Sequence, residues 1–289
     1  MKPRPATTGF RAFLRRSCRY VFQGVPERVT KVAISQIQWG GLLKGRRVVI
    51  TGGSKGLGLE FARKCLAEGA KVVITGRSQE RLDAAVAELG SKDCFGVEND
   101  IRNVSETPGV MAKAEELMGG CPDVLISNAG VSVHEISYAT CKESDWDLQV
   151  DTNLKGAYFM CQAFANRFAK AKERGKVGDG KILIIASERG LYGDDIPYGL
   201  TKAALINFTA GLAKKLILRG IRVNAIAPGV TATEMTGYDA KGNLFRPYAR
   251  GRRVLLAEEI AETAAFLLSR AANCIAGQVI ACNEANHLK

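Results

Sequence analysis

From residue 46 to the end of the chain, short and nearly continuous apolar runs alternate with amphipathic stretches of helical period, and this alternation constrains the fold more than any other feature. Strands are expected over 46–51, 71–75, 94–97, 123–127, 181–186, 221–226 and 278–281. Helices fill the gaps, among them one running to about Glu68 and one over 79–89. Strands that are apolar on both faces need cover on both faces, so the pattern predicts an α/β chain with a doubly wound parallel sheet between helix layers. Ligands of such a sheet bind at the carboxyl ends of its strands. With 289 residues, 46% of them apolar, the chain can build one large core. A single domain over 44–289, preceded by an extension over 1–43, is the expected organisation. No repeat or low-complexity tract interrupts it, and the polar stretch 231–254 is long enough to act as a lid over a pocket.

The extension differs in composition from the body. Residues 1–45 carry nine basic side chains and the single acid Glu27, whereas the rest carry 32 against 28, so most of the net charge of +12 lies at the front. Phe10, Phe13, Leu14, Val21 and Phe22 fall at helical spacing with arginines between them, which predicts a basic amphipathic helix over 10–23. A second helical stretch is expected over 26–37. The basic helix has three readings: a peripheral contact with a membrane surface, a mitochondrial targeting segment, or an arm packed on the core or on a neighbouring subunit. No run reaches the roughly 18 apolar residues of a membrane span, so a soluble, cytoplasmic body is expected. Nucleic acid is not expected as a partner, because the charge is confined to a short arm without base-stacking motifs. The eight cysteines are scattered without a C-x-x-C pair, and His134 and His287 are the only histidines, so neither a metal site nor a disulfide framework is expected.

Between the first strand and the first helix stands Thr51-Gly52-Gly53-Ser54-Lys55-Gly56-Leu57-Gly58. Unpaired N–H groups at a helix start can receive phosphate there, and glycine lets the backbone come close enough. The same segment also reads Gly52-x-Ser54-x-Gly56, the formal pattern of a hydrolase nucleophile elbow. That rival needs a histidine downstream of an acid, and the chain offers only His134 and His287. At the end of the second strand, eighteen residues past Gly58, a cofactor with a free ribose 2′-hydroxyl would want a carboxylate; the chain has Gly76, followed by Arg77. Arg77 and Lys55 are suited to a 2′-phosphate, which favours NADP(H) over NAD(H).

These features, with Asn128-Ala129-Gly130, Asn153-Leu154-Lys155-Gly156, Tyr198-x-x-x-Lys202 and Pro228-Gly229 followed by Thr233, resemble the short-chain dehydrogenase/reductase family over residues 44–289. The resemblance implies a Rossmann-type fold. It places Gly52, Ser54, Lys55, Gly56, Leu57 and Gly58 at the pyrophosphate, Asp100 and Ile101 beside the adenine, and Asn128, Ala129 and Gly130 along the cofactor channel. Pro228, Gly229 and Thr233 are then placed against the nicotinamide amide, and a homodimer or homotetramer is implied through the helices carrying Asn153 and Tyr198.

The chemistry is legible without the family. Reducing a carbonyl puts negative charge on its oxygen, which something must stabilise and protonate. Lys202 lies one helical turn after Tyr198, so its cation, together with the charge of an oxidised nicotinamide, is expected to lower the phenol's pKa and make Tyr198 a usable acid. Ser187, directly after the fifth strand, can bond the substrate oxygen; Asn153 is implied by the resemblance to position a water beside Lys202. The expected function is an NADPH-dependent oxidoreductase of ketones or secondary alcohols, with a 3-oxoacyl thioester as first guess and steroids or other lipid-like carbonyls behind it. The alternative is a silent NADP-binding scaffold tethered by its arm.

Two departures from the family bear on the substrate side. Only ten residues separate Ser187 from Tyr198 where the family usually has twelve. Glu188, Asp194 and Asp195 in that short loop suit either a hydroxylated or cationic substrate or a solvated turn. In addition, Cys282-Asn283-Glu284-Ala285 stands where Asn-Gly-Gly is common.

Overall fold

The computed structural model describes residues 29–31, 40–134 and 137–288. The helix expected over 10–23 lies outside them. Of the helix expected over 26–37 only residues 29–31 are described, and these are not helical.

Seven strands form one sheet: β1 (Arg47–Thr51), β2 (Lys71–Gly76), β3 (Cys94–Glu98), β4 (Val124–Ser127), β5 (Gly180–Ile185), β6 (Ile221–Pro228) and β7 (Val279–Cys282). Their order is β3-β2-β1-β4-β5-β6-β7, and every neighbouring pair is parallel. All seven expected strands are present, with ends shifted by no more than two residues.

The connecting helices are α1 (Gly56–Ala67), α2 (Gln79–Leu89), α3 (Thr107–Met118), α4 (Glu143–Gln149), α5 (Ala157–Glu173), α6 (Pro197–Leu216) and α7 (Ala257–Leu268). Between α4 and α5 the chain makes a π-helical turn, Val150–Gly156.

Each strand alternates its side chains between the two faces. Val48, Ile50, Val72 and Ile74 point to a layer formed with Phe61, Ala62 and Cys65 of α1 and with Ile260, Ala264 and Leu267 of α7. Val49, Val73, Leu125 and Ile184 point the other way, onto Met111 of α3, Phe164 and Phe168 of α5 and Leu205 of α6. Both layers are dry, which explains why the strands read as unbroken apolar runs. At the front of the domain, Glu68 accepts from the backbone N–H groups of Gly41 and Leu42 at 3.1 Å each and pairs with Lys64 at 3.0 Å.

The sequence order of strands reverses direction between β1 and β4, so their carboxyl ends open a crevice rather than being bridged by a helix. The stretch 231–254, expected as a lid, contains no long element. It is nevertheless anchored: Thr231 bridges to Leu255, Phe245 bridges to Arg253, and Ala232, Leu244, Val254 and Leu256 make a small apolar core of their own.

Candidate active site

A crevice of about 640 Å³ runs along the carboxyl ends of the strands. The turn after β1 forms its floor. Gly52 has φ +65°, a conformation that costs a side chain energy, and at Gly58 a methyl group would overlap the carbonyl of Gly52 and the amide of Asn128. The first turn of α1 is thereby drawn against the strand, with its free N–H groups facing the crevice. Ser54, Lys55, Gly56 and Leu57 line the same wall.

Thr51, which sequence reasoning did not single out, holds the next loop in place. Its hydroxyl accepts from the backbone N–H groups of Asn128 and Ala129 at 3.0 Å each. The Asn128 amide donates back to the carbonyls of Thr51 and Gly52, at 2.9 and 3.0 Å. Asn128, Ala129 and Gly130 thus line the crevice beside the phosphate turn.

At the far end lie Gly76, Arg77, Asp100, Ile101 and Arg102, with Arg81 from α2. The Arg102 guanidinium, hydrogen-bonded to Asp100, holds that carboxyl below its ordinary value, and Arg77 adds to the effect. Asn99 is 4% exposed, and its Oδ1 faces no partner in the protein. A buried acceptor left open on the wall of a crevice fits a ligand with a donor of its own. The glycine cradle, the open Asn99 oxygen and the surrounding cations together suit a dinucleotide. The Lys55 ammonium, still half exposed, pairs with the carboxylate of Glu234 at 2.8 Å across the mouth of this corner.

At the nicotinamide end the structure brings together Ser187, Tyr198, Lys202, Pro228, Gly229 and Thr233. Ser187 lies two residues beyond β5 and caps a short 3-10 turn, its hydroxyl accepting from the N–H of Arg189 at 3.3 Å. Tyr198 and Lys202 share one face of α6, with the ammonium 5.6 Å from the ring centre. Lys202 is buried, donates to the carbonyl of Ile185 at 2.9 Å, and is pushed down by that burial to about 8. Tyr198 faces the crevice beside Ser187. In the protein alone, burial raises its pKa above the ordinary phenol value, while the hydrogen-bonded Ser187 and then the Arg189 guanidinium pull it back. Arg189, which the sequence reading did not single out, is thus a second cation near the phenol besides Lys202.

Asn153 lies in the π-helical turn and is fully buried. Its amide exchanges two hydrogen bonds with the backbone of Val131, at 2.7 and 2.9 Å, and donates to Thr201 at 3.3 Å. It ties the loop after β4 to α6, so that Gly130 sits beside both Asn153 and Lys202.

The acids of the 187–198 loop are neither solvated nor open to a substrate in the way expected. Glu188 is 5% exposed and accepts from Asn283 and Asn286 at 3.2 and 3.0 Å. The buried Asp194 carboxylate takes a two-pronged ion pair from Arg189 and also accepts from the N–H of Ile196. Only Asp195 stays exposed, accepting from the N–H of Tyr138 at 3.3 Å. In the departure at the C-terminal strand, Glu284 and Ala285 adopt φ of +49° and +61°, where glycine would be at ease. Arg253 grips Glu284 at 2.7 Å and thereby compensates that strain.

The hydrolase reading finds no support in this geometry: no hydrogen bond joins Ser54 to a histidine, and Nδ1 of His287 is engaged by Asn283. Among the described residues there is no group of three metal-ligating side chains, and none of the seven described cysteines is in a disulfide. Among them too, no helix is long and apolar enough to cross a membrane.

The family model described as short chain dehydrogenase matches residues 46–243. The chain is 33% identical over 246 residues to the 3-oxoacyl-(acyl-carrier-protein) reductase FabG of Chlamydia muridarum, covering 83% of this chain and 96% of that one. It is 34% identical over 245 residues to the gluconate 5-dehydrogenase of Gluconobacter oxydans, covering 82% and 93%. Among solved structures, the 3-ketoacyl-(acyl-carrier-protein) reductase of Brucella melitensis complexed with NADH superposes with a TM-score of 0.77 at 26% identity, covering 85% of this chain and all of that one.

Proposed function

The chain belongs to the short-chain dehydrogenase/reductase family and is an oxidoreductase of CH–OH and C=O groups; from that premise we propose that it reduces a ketone with NADPH, with Tyr198 as the acid. The observation that carries this reading is the convergence of Ser187, Tyr198 and Lys202 on one wall, beside Gly229 and at the end of the glycine cradle. When bound, the dinucleotide supplies hydride to the carbonyl carbon, or accepts it in the reverse direction. Tyr198 gives its proton to the carbonyl oxygen as negative charge develops there, and the Ser187 hydroxyl donates a hydrogen bond to the same atom. Lys202, whose proton is weakly held in its buried site, returns one to the phenolate. Asn153 keeps Val131 and Thr201 in register around the pair and acts as a positioning residue.

Gly52, Ser54, Lys55, Gly56, Leu57 and Gly58 would hold the pyrophosphate. Asp100 and Ile101 would flank the adenine, with Asn128, Ala129, Gly130, Pro228, Gly229 and Thr233 along the channel. For the ribose, Gly76 in place of a carboxylate and the nearby Arg77 and Arg81 support the 2′-phosphate of NADP(H). A relative complexed with NADH is known, so the choice rests on these residues rather than on the family.

The relatives act on 3-oxoacyl-(acyl-carrier-protein) or gluconate. A 3-oxoacyl thioester or a comparable lipid-like ketone is our reading for this chain, because two of the three loop acids that could meet a polyol, Glu188 and Asp194, are engaged by Arg189, Asn283 and Asn286. A homodimer or homotetramer is supported by the aromatic face of α5 and α6, where Tyr158, 46% exposed, stacks 5.0 Å from Phe208. Titration of the full-length protein with NADPH and NADH, followed by a panel of ketones and 3-oxoacyl thioesters monitored by loss of reduced nicotinamide, tests the reading. Tighter NADPH binding and turnover of a panel member are expected; binding without turnover would instead point to the silent scaffold.

A further inference from the structure

The excess positive charge of this protein is concentrated in two segments. Residues 46–289 carry 32 basic and 28 acidic side chains, and residues 241–253 alone hold five basic and none acidic, so the remainder of the body has a net charge of −1. The other segment is the front of the chain, with +8 over residues 1–45. Thr30 of the front segment lies against the hairpin. The N–H of Thr30 donates to the Asn243 side chain at 3.0 Å, and the N–H of Leu244 donates to the Thr30 carbonyl at 3.1 Å.

The loop segment is a fixed shape. Phe245 pairs with Arg253 in an antiparallel bridge, and the N–H of Arg246 donates to the Arg252 carbonyl at 3.0 Å, which closes a small hairpin. At its tip Tyr248 is 93% exposed, flanked by the exposed Arg250 and Arg252. Arg250 reaches the carbonyl of Leu288 at 2.8 Å, bringing an apolar side chain that is 56% exposed onto the same patch; Val29, 58% exposed, adjoins the hairpin's base. A solvated charge run accounts for the arginines alone. It does not account for tyrosine, leucine and valine held open among them while the rest of the body is nearly neutral.

Arginines interleaved with exposed apolar and aromatic side chains are the chemistry of contact with an anionic lipid surface, where the cations meet headgroups and the apolar groups enter the boundary. The hairpin's base continues into the lip of the crevice, since the N–H of Leu255 donates to the carbonyl of Val230 at 2.9 Å and the carbonyl of Leu255 accepts from Ala232 at 2.8 Å, just beyond the end of β6. We propose that the 241–253 hairpin, together with the adjoining residues 29–31, is a docking surface for an anionic lipid bilayer, holding the crevice mouth at the membrane. Delivery of a lipid-like ketone from that surface rests on the reduction proposed above; the docking itself does not.

The test is co-sedimentation of the full-length protein with phosphatidylcholine vesicles, with and without phosphatidylserine, at low salt. The wild type should sediment with the phosphatidylserine vesicles and not with phosphatidylcholine alone. Replacing both Arg250 and Arg252 by glutamine should weaken that partitioning roughly 30-fold, and Tyr248→Ala should weaken it less. Lysine at the same two positions should restore it, and turnover of a small water-soluble ketone should be unchanged in all variants. The proposal is overturned if the wild type ignores phosphatidylserine, if the glutamine variant partitions like the wild type, or if the surface binds an acidic soluble protein but no vesicle. Vesicle binding is read without turnover, so a failure of the reduction would show separately.

Discussion

The wall of the crevice proposed for the dinucleotide is made of backbone and short side chains at strand ends, whereas the wall proposed for the carbonyl is held by charged and amide side chains drawn from distant parts of the chain. Gly52, Gly58, Thr51 and Asn128 make the first wall through close approach and four short hydrogen bonds. The second is laced by Arg189 with Asp194, Glu188 with Asn283 and Asn286, and Arg253 with Glu284 and Glu259. The difference teaches where specificity can change: the first wall tolerates little, because a single methyl group collides with backbone, while the second can be rewired pair by pair. One ion pair, Lys55 with Glu234, spans the two.

The largest expected effect separates the walls by chemistry. Tyr198→Phe should lower kcat by roughly 10² to 10⁴-fold and leave the NADPH dissociation constant unchanged, as read by steady-state kinetics and fluorescence titration. Unaltered turnover would remove Tyr198 from the mechanism.

A smaller effect is expected from Asp194→Asn. It removes the charge that anchors Arg189 and should cost roughly 10-fold in kcat/KM, in line with a charge-assisted hydrogen bond of about 1.5 kcal/mol, with NADPH affinity preserved. An equal loss of NADPH affinity would show that the two walls are one cooperative unit and break the comparison.

The smallest effect lies at the opposite ends of the strands. Lys181 is 1% exposed, donates to Asn273 at 2.8 Å, and is pushed by burial down to about 8. The unfolded chain, with an ordinary lysine, then binds more protons than the folded one above pH 8, so folding stability gains from this group as the pH rises from 8 toward the usual lysine range. Lys202 contributes in the same direction. Lys181→Met should therefore show a smaller gain between those limits than the wild type in denaturant melts, with NADPH affinity unchanged. A variant that keeps the full wild-type gain would mean that Lys181 is not the group responsible.

Much of the architecture could be read before the structure. The seven strands, α2 at its observed bounds, the phosphate turn and the Tyr198/Lys202 pair each reside in a few consecutive residues, so periodicity and spacing reveal them. The π-helical turn around Asn153 could not be read this way, because its signal is a departure from helical spacing by one residue. Thr51 was visible as part of the glycine motif, but its role in holding Asn128 and Ala129 became apparent only with the two strands side by side. The part of Arg189 beside Tyr198 was not legible, because a sequence reports the lysine one turn away but not a guanidinium brought in by a neighbouring loop.

By itself, then, the sequence determined the layered parallel sheet, the glycine-rich turn after its first strand and the Tyr198/Lys202 spacing, since these depend on contacts within one or two turns of chain. The tertiary structure alone decided that Glu188 and Asp194 are spent on internal partners, that Lys55 pairs with Glu234, that Arg189 lies near Tyr198, and that Thr30 meets the basic hairpin at Leu244. Those contacts join residues whose separation along the chain carries no period, and their energies come from burial and pairing that exist only after the sheet has brought them together.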